Sequence, residues 1–139
     1  MFAKILVAAD GSKHSFRAAE KAGELAAMQE DAEVTVLYVV DKEKAKSDVL
    51  NAGDKETIDQ RRKERLQPVE AIYKEKEVPF QTVICHGDPG PTIVTYANTE
   101  AFDLLVIGSR GLNTVQEMVL GSVSHKVAKR ADCPVMIVK

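Results

Sequence analysis

Residues 103–125 read Asp-Leu-Leu-Val-Ile-Gly-Ser-Arg-Gly-Leu-Asn-Thr-Val-Gln-Glu-Met-Val-Leu-Gly-Ser-Val-Ser-His. The apolar run ending at Ile107 is a buried strand that stops at Gly108. Gly111 follows, and Gly121-Ser122 opens a segment of helical period, giving the pattern G-x2-G-x9-G-S. A strand, two permissive turns and a helix start therefore meet at one point. Glycines let a main chain approach a ligand closely. A helix start offers free N–H groups and the positive end of the helix dipole, which suits phosphate.

The same alternation extends outward. Residues 3–9 are a short apolar run ended by Asp10-Gly11-Ser12, a strand and then a turn, with Ser12 placed to cap a helix over 13–29. That helix carries Phe16, Ala19, Ala22, Gly23, Ala26 and Ala27 as its apolar stripe. Residues 33–40 form a β-branched strand ending at Asp41. Residues 42–57 are charged and poor in large apolar groups, which predicts a surface loop with one helical turn. A helix over 58–77 turns Ile58, Leu66, Val69, Ile72 and Tyr73 inward, and its charge run 60–65 reads as a solvated face. A strand over 79–85 leads through Gly87-Asp88-Pro89-Gly90-Pro91 into a helix ending near Glu100, with Ile93, Val94 and Ala97 inward. The strand over 103–107, a helix over 122–131 with Val123, Val127 and Ala128 inward, and a strand over 135–138 complete the chain.

The order β-α-β-α-β-α-β-α-β, with every strand short and apolar on both faces, predicts a doubly wound α/β domain. It is a five-stranded parallel sheet with helices on both sides, and residues 1–139 make a single domain. In such sheets ligands bind beyond the carboxyl ends of strands, where strand order reverses. If strands one and four are adjacent there, Asp10 faces the loop from Gly108 to Ser122. Asp10 is then placed for a ribose hydroxyl or a phosphate-bound cation. Backbone N–H groups of Gly121, Ser122 and Val123, the Ser122 and Ser124 hydroxyls, and Arg110 are placed for phosphate. The Walker lysine pattern and the G-x-G-x-x-G turn are both missing.

Bulk properties exclude other classes. The 139 residues carry a net charge of −2, no tryptophan, three tyrosines and four phenylalanines. There is no basic cluster with stacking aromatics for nucleic acid. No run approaches the roughly 20 apolar residues of a membrane span, and the first residues lack the pattern of a secretion signal. Cys85 and Cys133 match no metal or redox spacing and read as reduced, buried small side chains in a cytoplasmic protein. His14, His86 and His125 show no metal spacing. Ser122, Ser124 and His125 lack the strained elbow of a hydrolase nucleophile.

The chain resembles the universal stress protein family along its whole length. The resemblance rests on Lys4-Ile5-Leu6-Val7 into Asp10-Gly11-Ser12, Gly87 with Pro89, Leu105 to Gly111, Leu120-Gly121-Ser122-Val123-Ser124, and the closing Cys133-Pro134-Val135-Met136-Ile137-Val138. The glycine pattern is that of the ATP-binding branch. The resemblance implies strand order 3-2-1-4-5 and an adenine nucleotide, ATP or AMP, between strands one and four. It implies a pocket lined by Ala8, Asp10, Val39, Gly108, Arg110, Gly111, Gly121, Ser122, Val123 and Ser124, with Val39 meeting adenine through its main chain. No metal site of the protein's own is implied; Mg²⁺ or Mn²⁺ can arrive on the phosphates. A homodimer through the edge strand 134–138 is also implied. Three functions stay open on the residues alone: a nucleotide-dependent stress-response regulator, a slow ATPase or adenylate-transferring enzyme, and an interaction module with a vestigial pocket. No catalytic residue is assigned.

Overall fold

The computed structural model describes residues 1–110 and 121–139. Its strands are β1 (Lys4–Ala9), β2 (Glu33–Val40), β3 (Phe80–His86), β4 (Leu104–Gly108) and β5 (Val135–Val138). Its helices are α1 (Lys13–Ala27), α2 (Lys42–Ala52), α3 (Lys55–Glu75), α4 (Pro89–Glu100) and α5 (Ser122–Arg130). All strand pairs are parallel and the order is β3-β2-β1-β4-β5, as expected. Strand β1 is central: Val7 is flanked by Val36 of β2 and Val106 of β4.

Two apolar layers cover the sheet. On one face Ile5, Val7, Val34, Val36 and Val106 meet Ala18, Ala19, Ala22 and Ala26 of α1, with Leu66, Val69 and Tyr73 of α3. On the other, Leu6, Leu37, Leu105 and Ile107 meet Ile93 and Ala97 of α4 and Val127 of α5. Alanine on α1 lets the helix lie close to the sheet. Tyr73 spans the gap to α3, its hydroxyl donating to the Ala19 carbonyl at 2.9 Å. Burial lifts that phenol well above its ordinary pKa.

Five expectations need correction. Residues 42–52 form helix α2 rather than a loop, so the element order gains a helix. Asp41 starts it by accepting from the Lys44 N–H at 2.8 Å. The periodic apolar signal is absent because α2 lies across the surface, with Val49 and Leu50 exposed. Phe16, Ala27 and Ala128 face outward, and Ser15, Ala18 and Ser124 occupy the inward positions instead. The charge run 60–65 is not wholly solvated. Arg62 reaches Asp48 of α2 at 3.1 Å, and Arg65 bonds both Asp48 and the Tyr38 hydroxyl. The edge strands β3 and β5 have no fully buried residue, and Gln81, Ile84, His86 and Ile137 are exposed. Cys85 and Cys133 are free thiols, half-buried rather than buried.

Candidate functional site

Strands β1 and β4 are neighbours, and the helices that follow them lie on opposite faces of the sheet. That divergence opens a crevice at their carboxyl ends. A cavity of about 350 Å³ occupies it, within the range of small-molecule and cofactor pockets.

The β1–α1 turn forms one wall. Gly11 has φ +86°, a left-handed conformation that glycine adopts without strain. The turn is locked by its polar residues. Ser12 N–H donates to Asp10 Oδ1 at 2.8 Å, Ser15 N–H donates to Ser12 Oγ at 3.1 Å, and Asp10 N–H donates to Ser15 Oγ at 3.3 Å. One Asp10 oxygen therefore accepts from the turn, which orients the carboxylate at the cavity wall.

The facing wall is the end of β4 and the start of α5. Gly121 N–H donates to the Ser109 carbonyl at 2.8 Å, and Ser109 N–H to the Val138 carbonyl at 2.7 Å. These bonds bring the first and third glycines of the pattern together despite the residues between them. Helix α5 begins at Ser122 with no side-chain cap. His125 N–H reaches the Gly121 carbonyl at 2.9 Å. The N–H groups of Ser122, Val123 and Ser124 precede that first bond and have no partner within the helix.

Of the expected pocket residues, Ala8, Asp10, Val39, Gly108, Arg110, Gly121, Ser122, Val123 and Ser124 all line this one cavity. Gly111 lies outside the described residues. Two of the nine have different local roles from those read in the sequence. A Cβ on Gly108 would stand 2.8 Å from the His14 carbonyl carbon, so this glycine admits helix α1 against β4. The buried Ser124 hydroxyl donates to the Gly108 carbonyl at 2.6 Å. It pins α5 to β4 and is not free to donate to a ligand.

Asp41 and Asp88, in the turns that end β2 and β3, line the cavity as their place at the strand ends suggests, and sequence reading missed Lys44, Leu37, Ile93 and Ile107, which line it too. Ala8, Leu37, Val39, Ile93 and Ile107 make an apolar floor continuous with the core. Lys44 lies over the Tyr38 ring at 5.1 Å, and its Nζ is 3.4 Å from the Val39 carbonyl. The clue was Asp41, a capping residue at the end of a strand, which places the third residue after it in the first turn of a helix above the crevice. Among the described residues, no group of three or more His, Cys, Asp and Glu side chains is arranged to hold a metal ion. No described helix is long and apolar enough to cross a membrane.

His14 abuts the cavity wall. Its Nδ1 is buried and has no hydrogen-bond partner among the described residues. Burial lowers its pKa most, and the Arg110 and Arg17 charges lower it further, against an opposing pull from Asp10.

The fold and crevice define a doubly wound α/β domain with a ligand-sized pocket, half apolar and half polar, at its topological switch point. The universal stress protein family model matches residues 1–139, and the chain belongs to that family. It is 38% identical to Universal stress protein YxiE of Bacillus subtilis over the full length of both. The structure of MJ0577, a protein of Methanocaldococcus jannaschii, superposes with a TM-score of 0.85 at 27% identity, covering 100% of this chain and 96% of that one. A universal stress protein solved in complex with cAMP matches at 27% identity and TM-score 0.72, covering 99% and 96%. An Arabidopsis thaliana family member with AMP bound matches at 25% identity and TM-score 0.68, covering 98% and 90%.

Proposed function

We propose that the crevice holds an adenine nucleotide, ATP or AMP, and that the protein is a stress-response regulator acting through nucleotide-dependent conformation and partner choice. The observation that carries this is the pairing of an apolar floor with the uncapped start of α5 in one cavity. The floor of Ala8, Leu37, Val39 and Ile107 suits a purine. Three N–H groups and the Arg110 guanidinium suit phosphate, by main-chain donors, helix dipole and charge-assisted bonding. Solved relatives carrying cAMP and AMP support the same ligand class. Asp10, on the wall facing α5, is placed for a ribose hydroxyl. Mg²⁺ or Mn²⁺ enters bound to the phosphates.

The nucleotide supplies a negatively charged, removable bridge between the two walls; the chain supplies the cradle. With no lysine in a glycine-rich loop to draw charge from a leaving phosphate, this cradle favours holding over rapid cleavage. The protein acts in the cytoplasm, where its two free thiols stay reduced. It works as a homodimer through residues 134–138, since among the described residues β5 pairs with β4 alone and Ile137 is 37% exposed.

Isothermal titration of ATP and of AMP, with and without Mg²⁺, tests the site. Binding is expected to raise unfolding free energy by about 2.7 kcal/mol at a hundredfold excess over Kd. No heat and no thermal shift at millimolar nucleotide would overturn the assignment.

A further inference from the structure

Another cavity, of about 410 Å³, lies on the α1–α3 side of the molecule. Lys13, Phe16, Arg17 and Glu20 line it from α1, and Arg65, Pro68 and Val69 line it from α3. The α1 residues follow helical spacing and share one face. That face is the outward one. The inward stripe of α1 is built of alanines, and Phe16 stands on the opposite side, 37% exposed. The isolated fold leaves this ring partly uncovered. Pro68, also exposed, has no N–H to give the Glu64 carbonyl and adds a rigid apolar surface beside Phe16. Val69 closes the base.

The charges around this apolar strip are one-sided. Lys13, Arg17 and Arg65 stand against the single carboxylate of Glu20. Arg65 is turned toward Asp48 and Tyr38. Among the described residues, Lys13 and Arg17 enter no ion pair. A chain of net charge −2 thus presents a locally cationic groove around an exposed aromatic ring.

We propose that this groove docks an acidic segment of a partner protein. An apolar side chain of the segment covers Phe16, Pro68 and Val69, and its carboxylates meet Lys13 and Arg17. Charge complementarity selects such a segment and speeds its encounter, and the apolar strip anchors it. The apolar lining argues against a bare inorganic anion. Two or three cations in an acidic protein are too few for a nucleic-acid track. The groove also adjoins the nucleotide crevice: Ser15 lines both, and Gly11-Ser12 closes the groove end with the same turn that fixes Asp10. A partner seated here would rest against the wall of the nucleotide site.

The test uses the full chain, free of nucleotide, so that its outcome is independent of nucleotide binding. The probe is an array of immobilised heptapeptides alternating Asp or Glu with Leu or Phe. Control arrays carry Lys in place of the acids or Ser in place of the apolar residues. Wild type is expected on the acidic-apolar array at about tenfold over either control, with retention falling as salt rises. Lys13→Glu combined with Arg17→Glu should abolish that preference, and Phe16→Ser should weaken it, with unfolding midpoints close to wild type. Equal retention on all arrays, an acidic preference that survives the double charge reversal, or selective retention by poly(U) RNA instead would overturn the proposal.

Discussion

Gly108 and the main chain of His14 are in contact so close that a methyl group on Gly108 would stand 2.8 Å from the His14 carbonyl carbon and 2.9 Å from its oxygen. The atoms in the way are backbone, which cannot swing aside as a side-chain tip can. The first glycine of the G-x2-G-x9-G-S pattern is therefore a packing residue as well as a wall of the crevice. Gly108→Ala is expected to destabilise by about 1–3 kcal/mol through overpacking, and Gly108→Val by more. Urea unfolding at saturating and at zero nucleotide checks this; the loss should appear in both. A Gly108→Ala protein of wild-type stability would show that α1 does not press on β4 as described.

The serines of the α5 start separate by role. Ser124→Ala removes the 2.6 Å bond to the Gly108 carbonyl and leaves that buried acceptor unpaired. This should cost about 1–3 kcal/mol of stability. Ser122 is exposed at the cavity rim, so Ser122→Ala should leave stability unchanged and weaken nucleotide only slightly. Arg110→Ala should behave in the opposite way to Ser124→Ala. It should weaken ATP by roughly 10- to 100-fold, the value of a charge-assisted bond, at unchanged unfolding free energy. Titration calorimetry beside urea melts on the three variants separates them. ATP affinity unchanged in Arg110→Ala would remove arginine from the phosphate cradle.

The legible part of this protein was the part governed by repetition. Strands β1, β2 and β4 are short apolar runs because both faces are buried, and their turns hold Gly and Asp because the chain reverses there. Strand order came from the family resemblance rather than from those runs, and it fixed which strand ends flank the crevice. Helix α2 was illegible because it buries almost no apolar surface of its own. It is fixed by Asp41 at its cap and by Asp48 against Arg62 and Arg65, contacts that leave no periodic trace. Lys44 was missed with it. The inward face of α1 was misassigned at Phe16 because large apolar side chains were taken to mark the core, whereas close helix–sheet packing there selects Ser15 and Ala18. Gly108 and Ser124 were placed in the crevice by pattern, but only coordinates separate a glycine that admits a ligand from one that admits a helix.

Protonation of His14 should loosen the same contact region. Burial is the largest cause of its lowered pKa, and Arg110 and Arg17 lower it further. The unfolded chain holds histidine near about 6.5. A folded-state value below that means the unfolded state binds more protons in the interval between the two values. Stability is then fully present above about pH 7.5, and it falls as pH drops through about 6.5 toward the lower folded value. His14→Gln removes the titration. Unfolding midpoints of both proteins from pH 8 to pH 5 should converge or cross as pH falls, with wild type losing more. Parallel curves would exclude His14 as a contributor.

Asp48 is the residue through which α2 is held over the crevice. Its carboxylate side chain is 7% exposed and meets Arg62, at 11%, and the more open Arg65, at 37%. Cutting one partner of such a group strands the others in a poorly solvated place. Because Arg65 is more than a third exposed, its share is small, and Asp48→Ala is expected to cost about 2–3 kcal/mol. Asp48→Leu with Arg62→Met should recover most of it, since an apolar replacement needs no counter-charge. The same change should reach the crevice. Lys44 projects from the first turn of α2 over Tyr38 and toward the Val39 carbonyl, at the apolar end where a base would lie. If α2 loosens in Asp48→Ala, Lys44 loses its fixed position and nucleotide dissociation should quicken, with the double variant returning both stability and off-rate toward wild type. Stopped-flow displacement of a fluorescent ATP analogue reads the off-rate. A destabilised Asp48→Ala protein with an unchanged off-rate would mean that α2 is an ornament on α3 and no part of the nucleotide site.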